Sequence, residues 1–139
     1  MIRLTLLLAP VLLAACASAT GTGEQTASFD GIAADETVYF GGTEPFWGGQ
    51  TSGQSLTYTT PENIDGTTFA VRRFAGNVGI GISGTLEGQA FDMTVTPGEC
   101  SDGMSDTTYP LTVTLRIGEE QREGCGWTDR LPRVGGEAG

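Results

Sequence analysis

The sequence predicts an all-β domain: a small antiparallel meander of seven or eight strands, forming a closed or partly open barrel. Three observations predict it. Apolar and polar residues alternate with a period of two along most of the chain. Turn residues punctuate that alternation at short, regular intervals. No stretch beyond the first fifteen residues carries a helical period.

The N-terminal element predicts an address. Met1-Ile2-Arg3 carries one positive charge, and Leu4 to Leu13 is apolar apart from Thr5 and Pro10. This is the pattern of an export signal over residues 1–15, too short to span a bilayer as a stable anchor. It ends in Leu13-Ala14-Ala15-Cys16, which resembles the bacterial lipobox, where the cysteine receives lipid and becomes the mature N-terminus. The plainer alternative is an ordinary signal peptide with Cys16 incidental. Ala17 follows where an aspartate would commonly retain a lipoprotein at the inner membrane. The expected location is therefore the bacterial cell envelope, lipid-anchored at the outer membrane and facing the periplasm.

Residues 16–34 are rich in Ala, Ser, Thr and Gly, with Phe29 and Ile32 the large apolar exceptions. They read as a flexible tether with an r.m.s. reach of roughly 20–25 Å. A single β domain is expected over residues 35–133 and a disordered tail over 134–139.

Inside the domain, the alternations are Leu56 and Tyr58; Phe69 and Val71; Val78, Ile80 and Ile82; Phe91, Met93 and Val95; and Leu111, Val113, Leu115 and Ile117. Each run places its apolar members on one face of a half-buried strand. Pro61-Glu62-Asn63, Asp65-Gly66, Gly76-Asn77, Glu87-Gly88, Pro97-Gly98 and Gly118-Glu119 supply the turns. Gly79 and Gly81 within one run fit a sharply coiled strand. Pro45 cannot donate to a sheet ladder, so the segment Phe46-Trp47 enters its strand at an edge or at the first position. Adjacent strand residues face opposite ways, so one ring faces the core and the other outward unless a bulge intervenes. Large aromatics mostly serve cores, so the favoured expectation is that both are packed, one beneath a loop such as Cys100 to Asp106, with an exposed aromatic at a binding site as the alternative.

Composition excludes several functions. Seven arginines, with no lysine, face seventeen acidic residues, for a net charge of −10. Nucleic acid is thereby disfavoured, because its phosphates call for a basic footprint. The sequence has no histidine, which removes the commonest general base and the usual zinc ligand. No cofactor and no catalytic constellation are expected.

The three cysteines are an odd count for an exported chain. With Cys16 assigned to lipid, Cys100 and Cys125 remain as a pair, and an oxidising compartment permits their disulfide. Cys100 lies in Pro97-Gly98-Glu99-Cys100-Ser101-Asp102-Gly103-Met104-Ser105-Asp106, an acidic loop between two alternating runs.

Gly42-Thr43-Glu44-Pro45-Phe46-Trp47, Tyr58 to Glu62, Cys100 to Asp106, Tyr109-Pro110 and Gly124-Cys125 together resemble a family of small bacterial envelope lipoproteins of uncharacterised function. The resemblance covers nearly the whole mature domain and implies an envelope lipoprotein without an established activity. Relatives can occur beside domains similar to the membrane-bound inhibitors of c-type lysozyme, which are small barrels. Gly48-Gly49 departs from the alternating apolar strand that the resemblance implies after Trp47.

The expected function is a non-enzymatic binding or inhibitor module at the envelope. Its candidate surface is Glu44, Phe46, Trp47, Glu99, Ser101, Asp102, Met104, Ser105 and Asp106. A cationic protein such as a lysozyme fits the charge and the location. Two alternatives stand beside it. The first is a calcium-stabilised structural envelope protein: Glu99, Asp102 and Asp106 are hard oxygen ligands of the kind calcium uses, but their spacing matches no EF-hand loop. Paired carboxylates can also hydrolyse glycosides, although no pattern selects a pair among seventeen.

Overall fold

The computed structural model describes residues 27–136. Cys16, the export segment and residues 137–139 lie outside the described residues. Eight strands follow in order: β1 (Val38–Thr43), β2 (Phe46–Ser52), β3 (Ser55–Thr60), β4 (Asn63–Ala75), β5 (Ile80–Leu86), β6 (Gln89–Ser101), β7 (Thr108–Ile117) and β8 (Glu120–Trp127). Each pairs antiparallel with its sequence neighbour, and β1 pairs with β8 to close the barrel. No helix occurs among the described residues.

The alternating runs form the core as periodicity requires. Leu56, Tyr58, Val71, Ile80, Ile82, Phe91, Met93, Val95, Leu111, Val113 and Leu115 are buried. Their polar neighbours point outward. Val78 departs from its run: it lies before β5, in the β4–β5 connection, and is 72% exposed.

Strands β1, β2 and β8 obey a different rule. Their inward positions include glycines, and aromatic rings from neighbouring strands fill the vacated space. The Trp47 ring lies over Gly42 and Gly124, so that a Cβ on Gly124 would come 2.9 Å from Trp47 Cζ2. The Phe40 ring does the same for Gly49, whose φ of +151° also favours glycine. This explains the departure at Gly48-Gly49: β2 continues through both residues to Ser52. Rings Phe40, Trp47, Tyr58, Phe91 and Phe69 then run in series, with successive centroids 6.0, 6.4, 6.0 and 5.1 Å apart. Offset and edge-on contacts at such distances add to what burial alone contributes.

Of the segments read as tether and tail, the described parts, residues 27–34 and 134–136, pack or pair with the folded body. Ile32 is buried, Phe29 packs on the core, and the Phe29 N–H donates to Gly76 O at 2.7 Å. Arg73 donates to the carbonyls of Ala33 and Glu36. The Glu36 side chain, 8% exposed, accepts from Thr128 Oγ1 and the Ala33 N–H and pairs with Arg130 at 3.2 Å. Burial alone would raise the Glu36 pKa, but these donors outweigh it and hold the carboxyl below its ordinary value. Residues 29–36 thus form a strap that closes the barrel end carrying the β4–β5 turn. At the other terminus, Val134 exchanges two 2.8 Å backbone bonds with Thr108. Apolar burial and backbone pairing override the composition of both segments.

Register slips twice. Between Pro97↔Leu111 and Cys100↔Tyr109, the two residues Gly98 and Glu99 face the single Pro110. Proline has no N–H to offer a ladder, and a bulge tolerates that. Between Tyr58↔Thr67 and Thr60↔Asn63, Thr59 alone faces Ile64, Asp65 and Gly66. Extra residues at a bulge bend a strand and redirect its side chains.

Candidate functional site

The bulge at Pro110 sends the β6–β7 hairpin across the outside of the barrel. Cys125 is paired with Thr112, a position on the outer face, yet it is buried. The hairpin covers it: Cys100 and Cys125 are joined by a disulfide with a Cα–Cα separation of 5.6 Å. Farther along, Thr43 Oγ1 donates to Asp102 O at 3.1 Å, so the hairpin tip reaches the end of β1. Tyr109 and Tyr39 each lie 5.5 Å from the Trp127 ring, and the Arg133 guanidinium sits 5.0 Å from that ring. We call residues 98–108 the flap.

The flap is ordered from within by Asp102. Its Oδ1 accepts from the N–H groups of Met104 and Ser105 at 2.9 and 2.8 Å, and its Oδ2 accepts from Ser105 Oγ and Tyr109 Oη at 2.8 and 3.3 Å. These donors favour the charged form, those of Met104 most, and hold the carboxyl at about 2. Ser101 Oγ accepts from the Gly103 N–H, and Ser105 Oγ from the Thr107 N–H. Asp102, Ser101 and Ser105 therefore build the turn. Glu99, Met104 and Asp106 are exposed and free to meet another molecule.

Phe46 and Trp47 are not both packed, as the preference of large aromatics for cores suggested; strand alternation divides them instead. Trp47 is buried and Phe46 is 54% exposed. Glu44 is exposed in the β1–β2 turn. Of the candidate surface, Phe46, Glu44 and the outer flap residues share one region, because Thr43, bonded to Asp102, pairs with Phe46. Trp47 serves the core beneath it. The carboxylates proposed for calcium are not gathered: among the described residues no three His, Cys, Asp or Glu side chains are grouped to hold a metal ion. Asp102 is engaged with its own turn instead.

Comparison with protein-family models, curated proteins and solved structures found no match to this chain. Its site must be read from its own chemistry.

Inside the barrel mouth, Arg122 donates to Tyr58 Oη and pairs with Glu120 at 2.8 Å. Burial raises the Tyr58 pKa and Glu120 adds to the rise, against Arg122. A neutral phenol held this way is a poor base, so the trio reads as a satisfied closure of the mouth.

Sequence reading missed Ile64, which is 79% exposed. It lies between the turn signals Pro61-Glu62-Asn63 and Asp65-Gly66 and belongs to no alternating run. The three-against-one bulge that turns it outward depends on the pairing partner and has no local signature.

Proposed function

We propose that this chain is a non-enzymatic binding or inhibitor module, held at the bacterial cell envelope by lipid on Cys16. One observation carries the reading: the flap is an acidic loop fixed in place before any partner arrives. The disulfide holds it on one side, the Thr43 bond on another, and Asp102 orders its turn. Preorganisation lowers the ordering cost of association. Glu99 and Asp106 remain exposed on it, on a chain of net charge −10. A cationic protein such as a lysozyme is the fitting partner, since complementary potential raises the association rate. The lipobox and the disulfide both suit an exported, oxidising setting.

The test is binding of a basic lysozyme to the protein and to its Glu99→Gln plus Asp106→Asn variant. Asp102 is left intact so that the flap keeps its shape. Weaker binding by the variant is expected, and weakening with salt as the Debye length falls to about 8 Å. Equal binding by both proteins, or none at low salt, would remove a lysozyme from consideration.

A further inference from the structure

Beside the flap, across β2 and β3, lies an open groove of about 270 Å³ whose walls include Phe46, Gly48, Thr59, Pro61 and Ile64. It carries two of the large exposed apolar side chains of the molecule, Phe46 at 54% and Ile64 at 79%. Both are turned outward by the local chain: Phe46 by strand alternation opposite Thr43, and Ile64 by the bulge opposite Thr59. Neither explains itself as core. An apolar depression of this kind on a soluble surface marks a contact site when something defines what covers it.

Charge defines it here. Glu44 adjoins Phe46 across Pro45, while Glu62 and Asp65 flank Ile64, and all three are exposed. Among the described residues, none of the three is within salt-bridge distance of an arginine; the ion pairs are Arg122 with Glu120 and Arg130 with Glu36. The groove is thus a mainly apolar depression with exposed, unpaired carboxylates one or two residues along the chain from its lining residues Phe46, Pro61 and Ile64. A lipid surface rich in anionic headgroups would be repelled by those carboxylates. A second copy of this acidic chain would be repelled as well.

We propose that the groove receives an apolar side chain of a cationic protein partner, with lysine or arginine on either side of it meeting Glu44, Glu62 and Asp65. This rests on the reading of the flap as a surface for a cationic protein and extends it. The flap supplies long-range attraction, and the groove supplies a buried anchor of the kind that dominates interface energetics. The two adjoin at Thr43, which pairs with Phe46 and donates to Asp102.

The test uses two synthetic pentapeptides, Lys-Lys-Phe-Lys-Lys and Lys-Lys-Ala-Lys-Lys, titrated into the mature protein and followed by NMR shifts of Ile64 and of the flap amides. The phenylalanine peptide should bind about tenfold tighter, as expected for burying one aromatic side chain. Ile64→Ser should abolish that advantage and leave the alanine peptide unaffected. Because Ile64 is exposed, this change removes nothing from the core. Equal affinity of the two peptides for the unaltered protein, with both weakened by Glu99→Gln plus Asp106→Asn, would overturn the groove proposal and leave the flap reading standing. No binding of either peptide at low salt would overturn both.

Discussion

Asp102 shows how one side chain can be conspicuous in sequence and structural in role. As the middle carboxylate of an acidic stretch, it invites a reading as a ligand. Its two oxygens instead accept four hydrogen bonds from its own loop. The folded pKa of about 2 lies below the roughly 3.9 of an unfolded aspartate. A depressed carboxyl favours the ordered form above the unfolded pKa and loses that contribution as pH falls through the folded one. Flap order should thus be complete above about pH 4 and fade toward pH 2. Carboxyl-carbon NMR of Asp102, with hydrogen exchange at Met104 and Ser105, measures it. A titration midpoint near 4 would contradict the hydrogen-bond account.

At the scale of elements, the flap is a long hairpin kinked at Pro110 and fastened by a cross-link spanning 25 residues. Closing a loop of that length stabilises by about 3.5 kcal/mol in the chain-entropy model. Replacing both Cys100→Ser and Cys125→Ser should lower unfolding stability by about 2–5 kcal/mol. The far-ultraviolet signature of the barrel should persist while the flap amides lose protection. A variant with an unchanged denaturant midpoint would refute the fastening role. The strands divide by legibility. Those from Ser55 to Ile117 were readable in their alternating runs, where inward Leu, Val, Ile, Met and Phe alternate with outward polar residues. Asp65-Gly66 and Pro97-Gly98, read as turns, lie instead inside β4 and β6, where bulges accommodate them. Strands β1, β2 and β8 were obscure, because Gly42, Gly49 and Gly124 occupy inward positions beneath rings borrowed from other strands. Alternation counts side chains on one strand and cannot see a neighbour's tryptophan. The disulfide was readable from cysteine number once Cys16 was set aside as the expected lipid site. The groove was not, since it depends on a register slip between two strands.

For the whole molecule, antiparallel order sorts the turns into two poles. The β1–β2 and β3–β4 turns, with the groove beside them, follow odd-numbered strands. The strap packs at the opposite pole, where Phe29 bonds Gly76 in the β4–β5 connection. The described chain begins at the strap pole, so under the proposed reading the groove pole is the end remote from the anchored terminus. Cys16→Ser should then release the protein from membranes or leave it unprocessed, as seen by fractionation. Normal processing with retained membrane association would defeat the lipid anchor and, with it, this orientation.

The closing ladder has a kinetic consequence. β1 and β8 meet through only Tyr39↔Trp127, Phe40↔Gly126 and Gly41↔Cys125, whereas β6 and β7 match over nine positions. The partners of this seam sit at opposite ends of the domain sequence, and such pairings form slowly because a long stretch of chain must be brought round first. Until it zips, the nascent sheet has two bare margins, each a template for joining another copy. Trp47, spanning Gly42 and Gly124, bolts the seam from inside, and the flap with its cross-link bolts it from outside. The surface offered to a partner thus doubles as a latch on the weakest join, so loosening the flap would also favour self-association.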